Sequence, residues 1–196
     1  MTPEQQQLLH QKKEQLQLRL AVQEFADRDI LPLLEILDKL HSSGVGFIPR
    51  QLLGVKSEWQ SELLTVLAAP PFAGYGLAGL PQSSDTAPIT ALLERYPTTH
   101  PTRYLPDIPM IGMAEEELSA LLLSVLDSLR VREQHAYLYY FRYAILLEVN
   151  LPVFAKQVAT DIFNLWHGDV LIFPEDYRWL IAYSDRDEWY AGGSKQ

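Results

Sequence analysis

The chain has 196 residues, 47% of them hydrophobic and 21% charged, with a mean hydropathy of −0.07 and a formal charge of −9 from 16 basic and 25 acidic residues. That composition belongs to a folded protein able to bury a sizeable core, and the length accommodates a single domain, 1–196. The absence of cysteine excludes disulfides, thiolate zinc sites, iron–sulfur clusters and cysteine nucleophiles, and the acidic balance opposes phosphate backbone, so no nucleic-acid partner is expected.

The first twenty residues are glutamine-rich and broken by Lys12, Lys13 and Arg19, which is not the pattern of a secretory leader. No window approaches the ~18 consecutive apolar residues of a membrane span, so a cytoplasmic location and no membrane partner are expected. Thr2, Pro3 and Gln5 predict a capped helix start, and Leu9, Leu16 and Leu20 give that helix, residues 1–26, one apolar stripe on the edge of the domain. Asp29 is placed to cap a second helix reaching about His41, with Pro32 in its first turn, Leu33, Leu34, Ile36, Leu37 and Leu40 buried, and Gly44 and Gly46 as the stop. Ser57 and Gln60 form a capping-box pattern ahead of Trp59, Leu63, Val66 and Leu67, and Pro70 and Pro71 end that helix.

Residues 70–112 are rich in proline and glycine and predict a loop that wraps the helices, interrupted by one short helix from Asp85 to about Tyr96. Gly74-Tyr75-Gly76-Leu77-Ala78-Gly79 spells G-x-G-x-x-G, but prolines flank it and no acid lies some twenty positions on, so it reads as a turn and not as a dinucleotide loop. From Ala114 to about Arg132 the periodicity is helical, with Glu115, Glu116 and Glu117 in the first turn and Arg130 and Arg132 in the last. The aromatic stretch from His135 to Val149 suits a strand by composition and a helix by its neighbours, and is taken as helix. Asn150 and Pro152 open another helix that Gly168 ends. Beyond it, Val170–Phe173, Trp179–Tyr183 and Glu188–Tyr190 are short β-prone runs separated by turns, an antiparallel meander over 169–191. The expected class is α+β: a mainly helical body carrying a small C-terminal antiparallel meander.

No metal, cofactor or catalytic residue follows from motif spacing. The histidines show no ligand spacing, and no nucleophile elbow or P-loop is present. Asp161, His167 and Asp169 are the one set that could converge as metal ligands or as acid and base, and Glu175/Asp176 and Asp185/Asp187/Glu188 are carboxylate groups in turns. The tyrosines around Arg142 could stack bases, yet residues 113–168 hold seven acids against four basic side chains, which opposes phosphate.

The most unusual composition is at the end. Residues 169–191 carry six acids against Arg178 and Arg186, interleaved with aromatic rings. Glu175, Asp176, Tyr177, Trp179, Asp185, Asp187, Glu188, Trp189 and Tyr190 are therefore the candidate partner-binding residues, acids to steer a basic protein and rings to anchor it. The run Phe173-Pro174-Glu175-Asp176-Tyr177-Arg178-Trp179 with Asp185-Arg186-Asp187-Glu188-Trp189-Tyr190 resembles the C-terminal hairpins of small bacterial immunity-type proteins encoded beside toxins. The resemblance spans about twenty residues and carries over no functional residue. The reading is a non-enzymatic binding module, an acidic immunity-type inhibitor of a basic toxin or nuclease. The alternatives are a metal- or carboxylate-dependent hydrolase, and a helical scaffold or regulator that forms a homodimer through residues 3–24.

Overall fold

The computed structural model describes residues 2–84, 86–98, 106–113, 117–157, 160–163, 169–184 and 186–193. It is an α+β fold, but the β part is far larger than a terminal meander.

Helix α1 (Pro3–Asp29) opens with the predicted reciprocal cap. The Thr2 hydroxyl accepts from the Gln5 amide at 3.3 Å, and the Gln5 side chain accepts from the Thr2 amide at 2.9 Å. Its C-terminal part packs through Val22, Phe25 and Ala26, whereas Leu8, Leu9, Leu16 and Leu20 remain more than half exposed. Helix α2 (Leu31–Ser42) follows after the single buried residue Ile30 and inserts Leu33, Ile36, Leu37 and Leu40 into the core. Asp29 does not cap it. The Arg28 guanidinium holds both Asp29 oxygens, at 2.9 and 2.7 Å, and the N-cap position falls on Ile30, which has no acceptor. Gly44 does stop the helix: it lies at φ +72°, and the Val45 amide reaches back to the Leu40 carbonyl at 2.9 Å. The Ser57–Gln60 capping box does not form, because Ser57–Trp59 coil into a 3₁₀ turn ahead of α3 (Gln60–Leu67).

The proline-rich region is more ordered than a wrapping loop. It holds 3₁₀ turns at Phe72–Tyr75 and Leu77–Gly79, helix α4 (Ala87–Arg95) and strand β2 (Met110–Met113). The G-x-G-x-x-G run falls in those turns, with Gly76 at φ +68°. Asp85, the expected cap of α4, lies outside the described residues.

The sheet has seven antiparallel strands. With β1 (Phe47–Leu52), β3 (His135–Tyr140), β4 (Ile145–Asn150), β5 (Val170–Phe173), β6 (Trp179–Tyr183) and β7 (Glu188–Gly193), the order is β1-β4-β3-β5-β6-β7-β2. The predicted meander is there as β5-β6-β7. The aromatic stretch expected to be helical is the hairpin β3–β4, with Tyr137 opposite Glu148 and Leu138 opposite Leu147. A central hairpin buried on both faces needs no polar alternation, which is why its period was uninformative.

One face of the sheet packs Leu138, Tyr140, Leu147 and Ile172 against α1 to α3, α5 (Leu118–Ser128) and α6 (Leu151–Gln157). The other buries Tyr139, Leu171, Phe173 and Leu180 under Ile89 and Leu92 of α4. Helix α5 is shorter than the predicted 114–132. Glu117 only flanks it, and Arg130 lies beyond its end at φ +55°, where the Val131 amide closes the helix on the Leu126 carbonyl at 2.9 Å. Residues 114–116 lie outside the described residues. Helix α6 begins as predicted, the Asn150 side chain accepting from the Val153 amide at 3.1 Å; it is described to Gln157, residues 158–159 lie outside the described residues, and Thr160–Phe163 form a 3₁₀ turn and not a continued α-helix. Among the described residues, no helix is long and apolar enough to cross a membrane.

Candidate functional site

The β5–β6 connection positions the first group of candidate residues. Pro174 opens a tight turn closed by the Tyr177 amide donating to the Pro174 carbonyl at 3.1 Å, with Tyr177 at φ +55°. Two contacts from α4 and its end fix the turn: Tyr96 Oη donates to the Tyr177 carbonyl at 3.0 Å, and Arg95 to the Asp176 carbonyl at 3.3 Å. The Tyr177 ring stacks on Phe173, centroids 5.8 Å apart. Glu175 and Asp176 are thereby held out in solvent on a backbone that cannot easily relax.

Strands β3 and β4 complete the site from the other side. A groove of about 610 Å³ is lined by Glu133, His135, Tyr137, Glu148, Glu175 and Asp176, together with Gln134, Ala136 and Pro174. Four carboxylates and one imidazole therefore face one concavity. Three of the carboxylates are tied down. Asp176 accepts from the Arg178 amide at 3.2 Å and lies 3.6 Å from Arg178 Nε. Glu148 accepts from Arg50 Nε at 2.6 Å and lies 3.2 Å from His135 Nδ1. Glu133 is bound by the Arg178 guanidinium and accepts from Trp179 Nε1 at 2.9 Å. Burial pushes the Glu133 carboxyl up, but the hydrogen bonds from Trp179 and Arg178 prevail and hold it below the usual carboxylate range. The Tyr137 phenol moves up, through burial and then through Glu175 and Glu148, so it remains a neutral hydrogen-bonding group at neutral pH.

The candidate residues are not one surface. Trp179 is 3% exposed and Trp189 2% exposed, so neither is available as an anchor. Trp189 instead packs its ring on Phe163 and Tyr183, with centroids 4.9 Å away in each case. Asp187, at φ +61°, accepts from the Tyr183 hydroxyl, and Glu188 accepts from the Tyr190 hydroxyl at 2.8 Å. These two acids sit at the far end of β6 from Glu175 and Asp176, five residues or about 16 Å of strand away. Asp185 lies outside the described residues. Glu133, His135 and Glu148 were not anticipated. Their signal was the two-residue period of a hairpin, which places Glu148 beside Tyr137 only once 135–149 is read as strand.

Glu175 and Asp176 stand on an exposed turn at the side of the groove. His167 and the Asp161 side chain lie outside the described residues. Asp169 is half-buried, its carbonyl accepting from the Phe141 amide at 3.0 Å. Among the described residues, no three His, Asp or Glu side chains come together to hold a metal ion. What the groove can do is receive positive charge. No protein-family model, curated protein or solved structure matches the chain.

Proposed function

We propose that the protein is a non-enzymatic binding module whose groove beside the β5–β6 turn captures a basic protein, as an immunity-type inhibitor of a basic toxin or nuclease would. The observation that carries this reading is the convergence of four carboxylates on one groove, with Glu175 and Asp176 exposed on a turn braced by Tyr96 and Arg95. Such an inhibitor meets a Lys- or Arg-rich surface built for phosphate, and offers carboxylates in place of that phosphate. The exposed pair steers encounter, and half-buried Tyr137 and Tyr177 supply apolar contact without losing their own packing. The partner-binding set is thus Glu175, Asp176 and Tyr177, joined by Glu133, His135, Tyr137 and Glu148. Trp179 supports it by holding Glu133.

The test is titration with a lysine- and arginine-rich peptide, followed by calorimetry at several salt concentrations. The unmodified protein binds with a steep salt dependence. Glu175→Lys combined with Asp176→Lys weakens binding by about tenfold or more and flattens the salt slope. Equal binding by the double variant counts against the reading. A second reading, homodimerisation through α1, is favoured by the exposed Leu8, Leu9, Leu16 and Leu20. Sedimentation velocity over a concentration series decides it, and a single monomer boundary throughout removes it.

A further inference from the structure

At the opposite end of the β3–β4 hairpin lies a second cleft, of about 470 Å³, between the end of α1, residues 53–59 and the hairpin turn. We propose that it binds a small planar anion: an aromatic ring carrying a phosphate or a carboxylate, of the size of a nucleoside monophosphate. Its volume is within the ~300–1,000 Å³ of small-molecule sites. Arg28, Lys56 and Arg142 reach it from three separate parts of the chain, and among the described lining residues Asp29, bound by Arg28, is the one carboxylate. The described lining is therefore net positive in a chain whose formal charge is −9.

The walls are aromatic. Trp59 is half-buried, packed on Phe25 with centroids 5.4 Å apart, and Lys56 Nζ sits 4.5 Å from the Trp59 ring centre. Lys56 covers one face of the Trp59 indole, so one ligand can meet both a cation and an aromatic wall: its ring against Phe141, its anion at Lys56 and Arg142. Gly54, at φ +70°, turns the chain at the cleft with nothing within 4 Å of where a Cβ would stand, which leaves room for close approach. Buried Tyr139 and Tyr143 are among the lining residues, and burial raises both phenols, so they stay neutral and do not repel an anion. An extended nucleic-acid strand is not implied, because the cations are confined to one cleft and do not form a track. This site is independent of the acidic groove.

The test uses calorimetry on the full chain with AMP, adenosine, phenyl phosphate, benzoate and inorganic phosphate. AMP, phenyl phosphate or benzoate saturates, while adenosine and inorganic phosphate bind about tenfold or more weakly, since each supplies only half of the contacts. Whether AMP or the simple aryl anions bind tighter identifies the nucleotide or the plain aryl acid as the ligand type. Lys56→Glu with Arg142→Glu, both at exposed positions, abolishes the saturable signal while the thermal midpoint is retained. Glu175→Lys leaves it unchanged. The proposal is overturned if none of the three aromatic anions saturates, if adenosine equals AMP, or if the double charge reversal binds as before.

Discussion

Trp189 shows how one side chain divides between two roles that a sequence cannot separate. Its alternation with Glu188 and Tyr190 suits a half-exposed edge, yet the ring lies among Phe163, Tyr183 and the helices. Trp189→Ala should cost about 3–5 kcal/mol in denaturant unfolding, as for other buried aromatic truncations. A loss below about 1 kcal/mol would place the ring at the surface after all. Glu133 makes the second residue-scale case. Its carboxyl is held below its ordinary range when folded, so its contribution to stability is present above that range and fades as pH falls through the folded value. Glu133→Ala should therefore destabilise by about 1–3 kcal/mol at neutral pH, where it strands the buried Trp179 Nε1 donor and Arg178. The gap between the two unfolding curves should narrow on acidification; a gap constant with pH would contradict the assignment.

At the scale of elements, the ends of α2 and α5 are the same device made from different residues. Each closes with the amide two residues past the C-cap donating to a carbonyl five residues back, Val45 to Leu40 and Val131 to Leu126, and each needs a left-handed residue between. Glycine fills that position in α2; Arg130 fills it in α5, at φ +55°. Gly44→Ala should therefore lose about 1 kcal/mol, and more if the new Cβ, 3.2 Å from Gln157 Oε1, cannot push that side chain aside. Arg130→Gly should gain up to about 1 kcal/mol. Thermal unfolding measures both, and like signs for the pair would refute the argument. The same contrast explains what was legible. Thr2/Gln5, Gly44 and Asn150 act through neighbours three to five residues away, so they could be read directly. Asp29 and Ser57 carry equally good local patterns, but Arg28 and the 3₁₀ turn at Ser57–Trp59 displaced them. Strands β1 and β2 are defined by partners far along the chain, Phe47 pairing with Val149 and Met110 with Tyr190, and no local pattern reports that.

Across the whole molecule, the edges of the sheet and the distribution of charge follow one logic. The edge strand β1 carries Pro49 and a register shift, and the opposite edge β2 is four residues long with a shift of its own, which blunts both against pairing with further strands. The two ends of the central hairpin differ in charge, with carboxylates at the Glu133–Glu175 end and cations at the Arg142 end. Counting charge along the sequence hides this. The segment 113–168 sums to an acidic stretch although its Arg142 joins Lys56 and Arg28, and the acids of 169–191 look continuous although β6 separates them. The proposed function requires the acidic groove, and no other acidic surface, to receive a basic partner. Its most direct test is an amide NMR titration with an arginine- and lysine-rich peptide at moderate salt. The shifts should concentrate on Glu133, His135, Tyr137, Glu148, Glu175 and Asp176 and vanish in Glu175→Lys/Asp176→Lys. Shifts centred instead on Asp187 to Tyr190, or scattered evenly over the acidic residues, would contradict it.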